Sequence, residues 1–567
     1  MNFGGIVMRK SKMSRNFKVL REIISKTRQL SISPDISYMT IYTFLYKYCS
    51  DMLRDYFMTI IEDKPITLDE AYSDMRFKEL FRDDALNIFG YFIKDSSCFF
   101  DEVINDKYMD DFFLCNFFEA FVKNVEFQKG SNYERYFSFI FDAVKDTVNF
   151  NKYEFEGENH IIVKEIIYLI SKLDTFDAEF PFASVFDRIS ESKLIQVDSD
   201  PDYITSLLIS LIKSDKDHID NFYNPFLNDA SSILKLSEYE IASKNTFAKS
   251  QDKITYTSNI VKFLINDYPL DFMYLEFASP FESVGVSSTS FDTITARIPP
   301  ITNKNIHRLN KAQRREIAKR NKRKELENLL SDKFNIDEDS FANDKELNTT
   351  LESLLEKMDL DDSKVEFSGE YESLKDSEYL FLINLIKCLN DDGIMAVSLS
   401  QGFLTKNTLG LLRKYLTYEK NCIDAVISIP NELSRPNPSE IIVVFKKHRI
   451  HDDILFVDMS SDYKAVSSKY SVPGLFKRNL TLHPDSINKV VEVYTKRESI
   501  DKFSQSVAIS EIADNEYNLS VSRYVDTFEG EFVKLEDLRN EKREITQNIK
   551  ILNKKIDMMM DELNIRF

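Results

Sequence analysis

The sequence predicts an α/β protein: a mostly parallel sheet with helices on both faces, preceded by a helical region and followed by C-terminal helices. Three observations predict this. Residues from about 15 to 190 place apolar side chains at helical spacing and show few strand patterns. From about 219, short β-rich runs alternate with helical ones. The chain closes on a long heptad pattern. The expected boundaries are 1–190 for an N-terminal helical domain, 191–470 for the α/β domain with a charged insertion over 302–369, and 471–567 for a C-terminal segment. A chain of 567 residues is too long for one ordinary core, so several domains are expected.

In the first region, Ile36 to Leu53 carries Tyr38, Ile41, Tyr42, Leu45, Tyr48, Cys49 and Met52 on one helical stripe. Similar stripes run over Phe112–Val122, Tyr136–Val148 and Ile161–Leu173. The many Phe and Tyr here read as core filling rather than as stacking platforms for bases. In the second region the β-rich runs are Phe222–Leu227, Phe272–Phe277, Phe291–Ala296, Ile394–Leu399, Ile423–Ile429, Ile441–Lys446 and Ile454–Asp458. Helical patterns at Ser373–Leu389 and Leu409–Tyr418 lie between them, and an Asp392-Gly393 turn leads into the run at Ile394. The short polar loop joining the last two runs predicts an antiparallel pair at the sheet edge.

Composition excludes several classes. The net charge of −19 argues against nucleic-acid binding by the whole surface, so DNA contact would need local basic patches or a partner. The run Lys311, Arg314, Arg315, Lys319, Arg320, Lys322, Arg323 is one candidate patch; its alternative is a solvated insertion helix. Five scattered Cys fit a reducing, cytoplasmic setting and no disulfide framework. Six scattered His give neither a metal cluster nor a His-based triad, and His448 and His451 read as loop residues. No apolar run is long enough to span a bilayer, and no secretory leader is expected. The heptad Leu535, Leu538, Lys542, Ile545, Ile549, Leu552, Ile556, Met559, Leu563 suits coiled-coil packing, within the chain or on a partner subunit.

Phe291 to Pro300 reads as a strand that stops at a double proline. Ligands of α/β sheets bind at the carboxyl ends of strands, which makes this loop a candidate site.

Gly393–Val397, Gly402-Phe403-Leu404, Leu412–Leu416, Ile423–Pro430, Ile441–Lys447 and Ile454–Asp458, in this order and spacing, resemble the modification subunit of type I restriction-modification systems, an N6-adenine DNA methyltransferase. Ile512–Leu519 with Arg523-Tyr524-Val525 resembles the family's segment before its C-terminal helices. The resemblance implies a Rossmann-like S-adenosylmethionine-dependent fold and a flipped adenine as substrate. It also implies assembly on a specificity subunit, with a restriction subunit as a further partner and DNA reached through the complex. The heptad helix would then pack on the specificity subunit.

The motifs that carry the chemistry depart from the family. Its cofactor loop reads Asp-Pro-x-Cys-Gly-Ser-Gly; the matching positions here include Asn224, Pro225, Asn228, Asp229 and Ala230, with no glycine to let the backbone approach a cofactor. A Thr-Pro contact becomes Asp200-Pro201, and the ribose-binding acid falls near Ser250 or Asp252. The catalytic Asn-Pro-Pro-aromatic loop becomes Arg297, Ile298, Pro299, Pro300. Arg has donors only, so it cannot accept a hydrogen bond from an adenine amino group. The leading expectation is a scaffold or regulatory homologue, a pseudoenzyme with impaired cofactor binding and methyl transfer. The alternatives are an active divergent methyltransferase, with Asp229 or Asp292 as substitute acceptor, and a non-enzymatic interaction module.

Overall fold

The computed structural model describes residues 14–27, 34–108, 112–147, 158–192, 194–197, 200–278, 290–298, 379–434, 439–449, 451–460, 464–465, 480–527 and 535–562. Pro299, Pro300, the insertion 302–369 and the basic run Lys311 to Arg323 lie outside these residues.

The first 191 residues are helical wherever a stripe was expected: Pro34–Ile61, Phe113–Val122, Asn132–Thr147 and Glu158–Ser171. Their aromatics fill a core, as Tyr46 stacked on Phe121 at 4.5 Å illustrates. Two short strands, β1 (Tyr91–Ile93) and β2 (Val125–Phe127), pair antiparallel among the helices. The Pro34–Ile61 helix packs on the Lys253–Ile265 helix, which ties the helical region to the sheet.

The central sheet contains β3 (His218–Asn224), β4 (Ala242–Ser250), β5 (Met273–Phe277), β6 (Phe291–Arg297), β7 (Leu389–Ser400), β8 (Ile423–Ser428), β9 (Glu440–Lys446) and β10 (Asp453–Asp458). After a small pair, β11 (Lys464–Ala465) and β12 (Leu480–Thr481), β13 (Ser504–Ala508) completes it. The order is β13-β10-β8-β9-β7-β6-β3-β4-β5. Pairing is parallel from β7 through β6, β3 and β4 to β5, and between β8 and β10. β9 runs antiparallel between β7 and β8, and β13 antiparallel beside β10. Side chains alternate across the sheet: Ile394 and Ala396 join the core under one face, Met395 and Val397 the core under the other.

The expected antiparallel pair of Ile441–Lys446 with Ile454–Asp458 does not form, because β8 lies between β9 and β10. The connection crosses the amino end of β8 and is fastened there by charge. Asp424 Oδ1 accepts from Arg449 Nε and Arg497 Nη1, each at 2.9 Å, and its Oδ2 accepts from Tyr494 Oη at 2.8 Å. A sequence pattern shows the loop length but not this anchor. Three further differences are local. The polar strand β4 was not expected; β3 ends at Asn224, since Pro225 has no N–H for a ladder. Over Leu409–Tyr418 the helix divides into a short α-helical piece, Gly410–Lys414, and a π-helical turn.

The heptad segment forms one helix, Leu535–Glu562, whose Ile545, Ile549 and Leu552 are exposed.

Asp424 is buried, which alone would raise its pKa, but Arg449 and Arg497 outweigh that and hold it below the usual carboxylate range. Asp424→Ala removes the buried carboxylate from two largely buried guanidinium groups, which then keep only the part-exposed Asp453, and is expected to cost roughly 3 kcal/mol in urea unfolding. Its folded pKa is depressed. The contribution is therefore present above the unfolded carboxylate pKa and lost as pH falls through the folded value, so the gap between wild type and variant narrows on the acid side.

Candidate functional site

The carboxyl ends of β3, β4, β6 and β7 share one edge of the sheet, the usual ligand edge of such folds. The loop 224–230 leaves β3 at this edge and leads into the Ser231–Glu238 helix. It is shaped by its own polar groups. Asn224 Oδ1 accepts from Phe226 N at 3.0 Å, and Asn224 Nδ2 donates to Ser232 Oγ at 2.9 Å. Leu227 N donates to Lys249 O and Asn228 N to Phe226 O, both at 2.9 Å. Three consecutive loop N–H groups are therefore spent inside the protein. A glycine-rich loop would instead turn such groups toward a ligand. Pro225 is buried, and Ala230 is fully buried under the helix start.

Asp229 is tied inward. Its Oδ1 accepts from Lys262 Nζ at 2.6 Å, from Ser231 Oγ at 2.9 Å and from Ser231 N at 3.0 Å. Burial would raise this carboxyl, but the Lys262 cation outweighs it and holds the pKa below the ordinary range. Lys262 in turn reaches Asp187 at 2.8 Å. Asp292, the other acceptor considered from sequence, lies near the opposite edge, where its Oδ2 accepts from the backbone N–H groups of Asp220 and Asn221 at 2.8 Å. Each of these carboxylates thus serves to hold the local fold.

Arg297, the last residue of β6, sits at the centre of the edge. Its Nε donates to both Glu440 carboxylate oxygens at 3.1 Å, and its Nη2 donates to Glu440 Oε1 at 2.6 Å. Nη1 lies 3.6 Å from Asp200 Oδ1. The side chains of Asp200 and Glu440 are 4% and 7% exposed, that of Arg297 17%. Ser398 Oγ donates to Glu440 Oε2 at 3.0 Å, and Asn228 Nδ2 bridges Asp200 Oδ1 at 3.2 Å and Arg297 O at 3.3 Å. Ile298 is buried, its N–H bonded to Ser398 O at 2.9 Å. Pro201 caps the Asp202–Lys213 helix that carries Asp200 to the edge.

The electrostatics follow from burial. Burial opposes the Arg297 charge, but the Glu440 hydrogen bonds outweigh it and hold the guanidinium protonated more firmly than usual. Asp200 is the reverse case: burial dominates over the attraction of Arg297, and its pKa is pushed up to about 7. A group near neutrality can serve as an acid or base; here Oδ1 accepts from Asn228 and faces Arg297. The assembly offers donors and fixed charge at its centre. The Arg297 side chain has no acceptor atom.

Beside the loop lies a cavity of about 340 Å³, lined in part by Gln196, Pro225, Asn228, Ser250 and Asp252. The two positions considered for the ribose-binding acid both make local bonds. Ser250 Oγ donates to Leu227 O at 2.8 Å, and Asp252 caps the Lys253–Ile265 helix through Thr255 N at 2.8 Å.

The structure thus gathers Arg297, Ile298, Asp200, Asn224, Asn228 and Asp229, drawn from three separate stretches, at one edge. Sequence reasoning missed Glu440, although a single acid immediately before the apolar run Ile441–Phe445 marks it. It also missed Lys262, a lone cation on an otherwise apolar helix pattern.

Residues 348–531 match the family model described as N-6 DNA Methylase. The type I restriction enzyme MpnII methylase subunit of Mycoplasma pneumoniae is 29% identical over 189 residues, 33% of this chain and 30% of that protein. The MjaVII methylase subunit of Methanocaldococcus jannaschii is 32% identical over 149 residues, 26% of this chain and 24% of that protein. The aligned stretches therefore span less than a third of either relative. The fold is similar to that of the type I restriction-modification methyltransferase subunit from Streptococcus thermophilus, with TM-score 0.62 and 18% identity over 90% of this chain and 99% of that one. A modification subunit of a putative type I restriction enzyme from Vibrio vulnificus gives TM-score 0.51 and 10% identity over 88% and 94% of the two chains. The resemblance drawn from the motifs, and the Rossmann-like methyltransferase fold it implied, are borne out.

Arg297→Ala leaves two buried carboxylates facing each other without a cation and is expected to destabilise the protein by roughly 3–5 kcal/mol in denaturant unfolding, and Arg297→Ala with Glu440→Gln by less. The folded pKa of Asp200 lies above its unfolded value, so the native state binds the extra proton between about pH 4 and pH 7. Stability falls as pH rises through that window, and Asp200→Asn removes this part of the slope, as thermal melts across the range will read.

Proposed function

We propose that this relative of type I methylase subunits acts as a scaffold or regulatory subunit of a DNA-associated, type I-like assembly, with the Arg297–Glu440–Asp200 cluster standing where methyl transfer would occur. That cluster is the observation that carries the reading.

The residues present do not fit S-adenosylmethionine. The cofactor's sulfonium is a cation, and the buried carboxylates at this edge, Glu440 and Asp200, already face the guanidinium of Arg297. The loop N–H groups that would face a cofactor are used internally. Asn224 supplies no charge for an ammonium group, since its carboxamide is neutral and hydrogen-bonded to Phe226 and Ser232.

The partners follow from kinship and from one surface. The exposed Ile545, Ile549 and Leu552 on a 28-residue helix suit a helical partner, here a specificity subunit, with a restriction subunit and DNA reached through the same complex. A cytoplasmic setting accords with this role. Among the described residues no helix is long and apolar enough to cross a membrane.

A second reading, an active but divergent N6-adenine methyltransferase, draws on one observation. A cavity of about 340 Å³ persists beside the cofactor loop, at the small end of ligand-site volumes. Calorimetric titration with S-adenosylmethionine and a methylation assay with the cognate specificity subunit separate the two. The first reading expects no saturable binding and no methyl transfer to DNA; tight binding with transfer would sink it. Arg297→Asn, which restores an acceptor, is expected to remain inactive because the loop 224–230 is unchanged.

A further inference from the structure

A second cavity, of about 380 Å³, lies between the turn that follows β7 and the segment that follows β13. Thr405, Asn407, Gly410, Arg413, Asn515 and Arg523 line it. Arg413 is the unusual member. The residue is 3% exposed, yet no carboxylate lies within ion-pair distance of it among the described residues. Its bonds go to backbone carbonyls: Nε to Tyr517 O at 2.7 Å, Nη1 to Phe403 O at 3.1 Å and to Lys406 O at 2.9 Å.

A guanidinium has five N–H donors, and these three bonds use Nε and both N–H groups of Nη1. The pair on Nη2 remains. Nη2 lies 3.9 Å from where a Cβ on Gly410 would fall, and Gly410 is itself part of the cavity wall. Arg523 adds a second guanidinium, exposed, with Nη1 held by Asn515 Oδ1 at 2.9 Å. Burial disfavours the Arg413 charge and no acidic side chain offsets it. A clasp that only joined the turn to the 513–519 segment would need the three carbonyl bonds and nothing more. The remaining Nη2 donors, the second guanidinium and the neutral side chains of Thr405 and Asn407 point to an anion.

We propose that this cavity binds one phosphate group, a phosphodiester of the DNA backbone. Guanidinium N–H groups suit phosphate oxygens in charge and hydrogen-bond geometry. The wall also carries Asp514 and Glu516, both exposed, which would repel a polyphosphate or a dianionic monoester far more than a singly charged diester. The phosphate site stands on the cavity alone; the choice of DNA as its source rests on the function proposed above.

The test uses the full chain. Anisotropy titrations with short duplexes of two unrelated sequences are run over a range of salt for wild type, Arg523→Gln and Arg413→Lys. Each variant is expected to bind both duplexes about three- to tenfold more weakly, with the salt slope reduced by about one. Arg523→Gln changes an exposed side chain, so it reads the site even where Arg413→Lys fails to fold. A second arm compares melting in inorganic phosphate and in chloride at equal ionic strength. Wild type melting higher in phosphate, with the gain lost in Arg523→Gln, supports the site; if DNA then fails to bind, the site stands and the DNA source falls. DNA binding by wild type with unchanged affinity and slope in the variants, or no response to either phosphate or DNA, overturns the proposal.

Discussion

One antiparallel strand decides what this sheet edge can do. In a fully parallel sheet every strand delivers its last residue to the carboxyl edge and its first residue to the other. β9 runs against β7 and β8, so its first residue, Glu440, lies beside Ser400 at the end of β7. From there its carboxylate reaches Arg297 at the end of β6 and accepts from Ser398. A buried guanidinium at a strand end is costly unless a carboxylate is brought to it. The reversed strand supplies that carboxylate, and the Asp202–Lys213 helix supplies the second one at its amino end.

The two edges of the sheet are built on the same physical rule and reach different ends. At the amino edge, Asp424 gathers Arg449, Arg497 and Tyr494 around one carboxylate, and this locks the crossing between β9 and β10. With Asp453, which also pairs with both arginines, that cluster matches two cations to two anions, and the Asp424 carboxyl is held ionised. At the carboxyl edge one cation serves two anions. There the less well compensated member, Asp200, is the one whose proton becomes easy to keep. Charge balance within each cluster, rather than burial alone, sets which group yields.

The parts legible from sequence were those that follow period and composition. The helical stripes and the alternation of strands and helices were readable because each is a local pattern. Strand order was not. The loop from Lys446 to Asp453 has a length suited to a hairpin, and only the ion pair between Arg449 and Asp424, 25 residues apart, shows why it crosses β8 instead. β4 was missed because its run Ala242–Ser250 is polar and half-buried, without the β-branched signature of a central strand. Glu440 could be read only as an acid before an apolar run. Its role needs the reversed direction of β9, a property of the sheet and not of the segment.

The positions that depart from the family's motifs are linked to one another in the structure. Asn228 holds both the backbone carbonyl of Arg297 and the side chain of Asp200. The loop position, the Pro201 helix start and the β6 terminus are therefore one hydrogen-bonded unit. Replacing Arg297 by a neutral acceptor leaves Glu440 and Asp200 as adjoining buried carboxylates, which repel. Restoring glycines in the loop would leave Asn228 or Asp229 to be displaced, and Asp229 anchors Lys262 and Ser231. Replacing Arg297 or Asp229 singly uncovers a buried charge, so neither change is neutral to the fold on its own. On the proposed reading, the sheet edge has been rebuilt into a self-sufficient network whose members now stabilise the fold in place of a bound ligand.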